Sequence, residues 1–143
     1  MSLKIVNKNF YINFMIIFSI FVLDRITKFY VLNDPVLSSG TNVALAPFIN
    51  INLTWNEGIA FGLLSFENMF YYNILTILII SIVLIILWFS YKSHGLERFC
   101  FLIIAGGASG NLFDRIFYSS VPDFIDISIN NYHWFIFNIA DIF

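Results

Sequence analysis

The sequence is short of charge, with 7 basic and 9 acidic side chains in 143 residues, 11% of the chain, and a formal net charge of −2. Soluble domains carry about 25% charged residues, so this chain lacks the polar surface that water requires. No run of either sign exceeds two residues, which excludes a basic nucleic-acid patch and an acidic tail. A single cysteine, Cys100, excludes an internal disulfide, and the two histidines, His94 and His133, are too separated to make a metal set. Neither a metalloenzyme nor a disulfide scaffold fits, and no cofactor and no nucleic-acid partner are expected. Internal repeats, low-complexity tracts and linkers are missing too, so residues 1–143 read as one domain.

What the chain does have is apolar mass. Apolar residues make up 59% of it, including 18 Phe, 7 Tyr and 3 Trp, and the mean hydropathy is +0.84. A bilayer is the solvent that suits this composition. A spanning helix needs about 20 mostly apolar residues, and residues 68–91 supply an uncharged run between Glu67 and Lys92. Tyr71 and Tyr72 stand near one end of that run and Trp88 and Tyr91 near the other, as interfacial aromatic belts do. A first span is expected over 10–32, apolar to Leu23 and then carrying Asp24, Arg25 and Lys28. It has no A-x-A site after its apolar run, so it reads as an uncleaved helix with a polar far end. A third span is expected over 97–115, where Gly106 and Gly110 form a small-xxx-small face for close helix packing.

Lys4 and Lys8 before the first span, and Lys92 and Arg98 between the second and third, put those ends on the cytoplasmic side. Segments 33–67 and 116–137 then face outward. Ile49 to Asn56 alternates apolar and polar side chains with the period of a half-buried strand, and Glu57-Gly58 ends it as a turn. Ile59 to Phe66 is too short to span and is expected against the bilayer surface. Val121 to Phe137 is a second alternating stretch able to pair with the first, in a register that one sequence does not reveal. The expected fold is therefore a membrane all-α bundle with a small outer-side β-sheet.

Carboxylates near membrane depth cost about 2.5–3.5 kcal/mol each on insertion scales, and they mark function or helix pairing. Four stand on the outer side: Asp24, Asp114, Asp123 and Asp141. Asp24 and Lys28 are one helical turn apart, Asn111, Asp114 and Arg115 cluster on one helix, and Asn138 and Asp141 are spaced i, i+3. Each also has a bland reading. Asp24–Lys28 serves as an interfacial ion pair, Asn111, Asp114 and Arg115 as a hydrogen-bonded clamp, Asp123 and Asp126 as solvated loop charges, and Cys100 as an inert buried thiol.

Taken together the polar motifs are more specific. Asp24-Arg25-Ile26-Thr27-Lys28, Asn56-Glu57-Gly58-Ile59-Ala60-Phe61, Gly106 to Arg115 (GGASGNLFDR), Val121-Pro122-Asp123-Phe124 and Phe137-Asn138-Ile139-Ala140-Asp141 occur in this order along nearly the whole chain. The series resembles lipoprotein signal peptidase, the bacterial signal peptidase II family. The resemblance implies a membrane aspartyl endopeptidase of the bacterial inner membrane, N-terminus inside and active site on the outer face. Such an enzyme removes signal peptides from diacylglyceryl-modified prolipoproteins before the lipidated cysteine. It also implies Asp123 and Asp141 as the catalytic dyad, with Asp24, Lys28, Asn56, Gly58, Asn111, Asp114, Arg115 and Asn138 supporting the site or the substrate. Its implied partners are the lipidated prolipoprotein, membrane lipid and the inhibitor globomycin, bound by a monomer.

Pro122 departs from the family's usual β-branched residue, but a proline biases Val121 toward an extended backbone, as a strand needs. The family has four spanning helices, and here only Ile142 and Phe143 follow Asp141. Three spans and the start of a fourth from about 138 are thus expected, with Asp141 on a frayed end and low activity as a consequence. The chemistry of the residues agrees with the resemblance. Without a serine triad, thiol or metal, peptide cleavage needs water activated by two close carboxylates sharing a proton. Arg115 and Lys28 would bind lipid phosphate or pair with Asp114 and Asp24. A non-enzymatic transporter or assembly subunit is the alternative, but the two similar halves that transporters often show are absent.

Overall fold

The computed structural model describes residues 2–58, 69–129 and 132–143. Three helices dominate it: α1 (Ser2–Asn33), α2 (Met69–Lys92) and α3 (Gly95–Tyr118). Phe70–Lys92 and Gly95–Tyr118 are long and apolar enough to cross a membrane. α2 is apolar all round and leaves Ile74, Ile77, Leu78, Leu84 and Ile85 exposed, the surface expected of a helix that lipid solvates. Cys100 is exposed as well, which corrects the expectation of a buried thiol. The segment from Ile59 to Phe66, expected against the bilayer surface, lies outside the described residues.

α3 packs against both α1 and α2. Its inward face is made of Leu102, Ala105, Gly106, Gly107, Gly110, Asp114 and Arg115, so the small residues that allow close approach lead into the charges that need partners. The Gly106/Gly110 face is occupied: Gly106 lies against Ile17 and Ile20 of α1, and Gly110 against Asp24 and Ala140. Ser119, in the left-handed conformation with φ 57°, ends α3 and turns the chain into the sheet.

The sheet has four antiparallel strands in the order β1 (Val43–Ala46), β2 (Ile49–Asn56), β3 (Val121–Ile129) and β4 (Tyr132–Phe137). β2 matches the alternating stretch and pairs with β3, so α2 and α3 are inserted between adjacent strands. The register of that pairing shifts. Ile51 faces Ile125 but Thr54 faces Asp123, so β2 carries one residue more than its partner. Thr54 and Asn56 thereby join the face of Ile51, and Asn56, opposite Val121, becomes the diagonal neighbour of Asp123. Strict alternation would have kept Asn56 with Asn50 on the other face. After β4 the chain makes one 3-10 turn, Ile139–Ile142.

Candidate active site

Asp123 is 4% exposed in the middle of the sheet's buried corner. Its Oδ2 accepts from Asn56 Nδ2 at 2.9 Å and its Oδ1 from Asn138 Nδ2 at 2.6 Å. Burial pushes its carboxyl up to about 6, the neighbouring Asp141 adds to the rise, and the two asparagine donors and Lys28 oppose it. The expectation of a solvated loop charge therefore fails here. It fails for Asp126 too, which is fully buried with Oδ2 2.6 Å from His133 Nδ1.

Asp141 is held by its own turn. Asn138 caps the 3-10 turn by accepting from Ala140 N at 2.8 Å, and Asp141 Oδ2 accepts from Asn138 N at 3.0 Å, a reciprocal capping box. Asp141 Oδ1 accepts from Asn111 Nδ2 of α3 at 2.7 Å. The expected frayed end is thus corrected, because local capping and one long-range amide tie the carboxylate down. Asn138 is the hinge of the arrangement, with its side chain on Asp123 and its backbone N–H on Asp141. Both carboxylates open into one cavity of about 400 Å³, walled by Val121, Phe135, Ile136, Phe137 and Ile142 beside Asn56, Asn111 and Arg115.

Beneath this cavity lies a closed set of four charges. Lys28 Nζ donates to Asp24 Oδ1 at 2.9 Å, Asp114 Oδ2 at 2.6 Å and Asn111 Oδ1 at 3.0 Å, which uses all three ammonium protons. Arg25 grips Asp114 with both terminal nitrogens, at 2.5 and 2.8 Å, and reaches Asp24 Oδ2 at 2.5 Å. Phe21 and Phe113 flank its guanidinium, 5.6 and 4.8 Å from the ring centres. Two cations and two carboxylates cancel, which is what makes their burial tolerable. Asp24–Lys28 is therefore a member of a buried cluster spanning two helices and not an interfacial pair.

The cluster reaches the upper site twice. Lys28 holds the Asn111 carbonyl, so the amide must present its NH₂ to Asp141, and Asp24 Oδ1 accepts from Ala140 N at 3.2 Å. Arg25 stood in the first motif without a role, because its bond to Asp114 joins residues 89 positions apart. Arg115 does not join Asp114 or Asp24. Its Nη2 donates to Gly58 O, and its guanidinium lies over the Tyr72 ring at 5.8 Å. Tyr72 Oη in turn donates to Arg115 O at 3.3 Å, a tie from α2 that no local motif signalled. Gly58 N donates to Asn56 Oδ1 at 2.9 Å, which leaves the Asn56 NH₂ for Asp123. Among the described residues no group of three or more His, Cys, Asp or Glu is placed to hold a metal ion.

Comparison with known proteins adds an independent line. The family model described as signal peptidase (SPase) II matches residues 16–143. The lipoprotein signal peptidase of Pelagibacter ubique (strain HTCC1062) is 47% identical over 140 residues, 98% of this chain and 84% of that protein. That of Aquifex aeolicus (strain VF5) is 40% identical over 126 residues, 86% of this chain and 72% of that protein. A solved bacterial membrane enzyme superposes with a TM-score of 0.73 at 31% identity, covering 91% of this chain and 78% of the other. A second gives 0.70 at 29% identity, covering 91% and 83%.

Proposed function

Since the chain belongs to the signal peptidase II family and is a membrane protease that removes signal peptides from lipoproteins, we propose that it works through Asp123 and Asp141 as one carboxyl dyad. The observation that carries this reading is Asn138, which binds one carboxylate through its side chain and the other through its backbone while both line one cavity. Burial lets Asp123 hold its proton to a higher pH than an exposed aspartate does. Asp141, more exposed, is placed to take a proton from an attacking water. In the addition step water gives a proton to Asp141 and its oxygen bonds the scissile carbonyl carbon. Asp123 passes its proton to the carbonyl oxygen. In the collapse step Asp141 returns its proton to the leaving nitrogen, the C–N bond breaks, and Asp123 recovers a proton from the gem-diol. No group is consumed.

Asn56, Asn111 and Asn138 orient the dyad in this reading. Gly58 and Arg115 shape its approach, and Asp24, Lys28 and Asp114 hold the floor. The substrate is the diacylglyceryl-modified prolipoprotein, cut before its lipidated cysteine by a monomer that globomycin inhibits. α1, α2 and α3 all cross the bacterial inner membrane with the N-terminus inside, as the placement of Lys4, Lys8, Lys92 and Arg98 favours. The sheet and the dyad then face outward. Purified Asp123→Asn and Asp141→Asn should each lose nearly all cleavage of lipidated precursor, and the double variant should lose little more than either. Retention of more than about a tenth of the parent rate by Asp123→Asn, a barrier change under about 1.4 kcal/mol, would refute the dyad.

A further inference from the structure

The turn that carries Asp141 is seated on bare helix backbone. Ala140, 4% exposed, is its foot. A Cβ built on Gly107 would overlap the Ala140 carbonyl oxygen and stand 3.3 Å from both the Ala140 carbonyl carbon and Phe143 Cβ. One built on Gly110 would meet Asp24 Oδ2 at 2.6 Å and Ala140 Cβ at 3.4 Å. At Gly107 the obstructing atom is backbone and cannot swing away as a flexible side chain would. The turn is tied at this depth by hydrogen bonds as well: Ala140 N bonds to Asn138 and Asp24, and Asp141 reaches α3 through Asn111.

We propose that Gly107 is a positioning residue for the cleavage reaction, its missing side chain setting the height at which the Ala140–Asp141 turn rests on α3 and hence the reach of Asp141 to Asn111. The inference rests on the dyad reading. It also separates Gly107 from Gly106, whose added Cβ would meet α1 first, with Ile20 Cβ at 2.9 Å and Ile17 O at 3.2 Å. The two neighbouring glycines should therefore fail in different ways.

Gly107→Ala in the full chain should lower kcat at least about tenfold with KM within about twofold, since ångström-scale misplacement of a reacting group costs rate more than binding. Its loss should not add to that of Asn111→Ala, because both break one connection between α3 and Asp141. Gly106→Ala should melt earlier and yet keep kcat per folded molecule. If Gly107→Ala cannot be recovered folded, Ala140→Val, which leaves α3 unaltered and lifts the turn from its other side, decides the matter by the same non-additivity with Asn111→Ala. Parental kcat in Gly107→Ala, or full additivity with Asn111→Ala, overturns the inference. If those results came with inactive Asp123→Asn and Asp141→Asn, only the seat would be wrong, whereas active aspartate variants would remove the dyad itself.

Discussion

At the scale of single residues, the proposed dyad sets two identical carboxyls in different surroundings. Asp123 is buried among asparagine donors and Asp141 is exposed on a capped turn. The difference has a consequence for stability. Asp123 titrates near 6 in the folded protein against an ordinary value of 3.8, so between those values the folded state binds more protons than the unfolded one. Its favourable contribution is complete below 3.8 and is lost as pH rises through about 6. The effect is on the order of a few kcal/mol. Melting curves of the parent and Asp123→Asn, taken in one detergent from acid to mildly alkaline pH, should diverge in favour of the variant as pH rises. A constant difference, or one that favours the parent at high pH, would show that burial of this carboxylate costs nothing.

Elements bring a different kind of coupling. α1 and α3 are joined in their C-terminal halves by Asp24, Arg25, Lys28 and Asp114, a set whose charges balance only when all four are present. Removing Arg25 leaves two buried carboxylates facing one ammonium, and breaking such a pair typically costs about 3–5 kcal/mol. Arg25→Gln should therefore lower the melting temperature clearly more than Arg25→Lys, which keeps the charge but loses the two-pronged grip on Asp114. Equal melting of the two variants would mean that charge balance is not what holds α1 to α3. The cluster was half legible in sequence. Asp24–Lys28 was visible as i, i+4 neighbours, but Arg25–Asp114 joins distant positions and no local period encodes it. β2 teaches the same lesson. Its strand character shows in Ile49 to Asn56, yet the extra residue between Ile51 and Thr54 reverses the face of Asn56, and alternation alone cannot reveal a bulge.

On the scale of the whole molecule, the proposed dyad lies in a cavity with walls of Phe135, Ile136, Phe137 and Ile142, beside helices whose exposed surfaces are greasy. Such a site can draw on binding energy from acyl chains remote from the scissile bond, and that energy can appear in rate as well as in affinity. A prolipoprotein whose cysteine is unmodified should be cut far more slowly than its diacylglyceryl form by the same enzyme preparation. Equal rates would point to a protease that reads peptide alone and would remove the case for lipid recognition.

Composition and periodicity alone determined that this chain is a membrane protein with a small strand-bearing portion, because the bilayer and the pleat each impose a length and a period that a sequence must display. Ordered motifs determined the family for the same reason: they are strings, and strings are legible. Tertiary structure alone decided which donors meet which carboxylates. It set Arg25 on Asp114, Arg115 on Gly58, Asn56 beside Asp123 through a strand bulge, and Asp141 on a seat of glycine. Each of those contacts joins residues far apart in sequence, and their geometry depends on how closely two backbones approach, which no single segment specifies by itself.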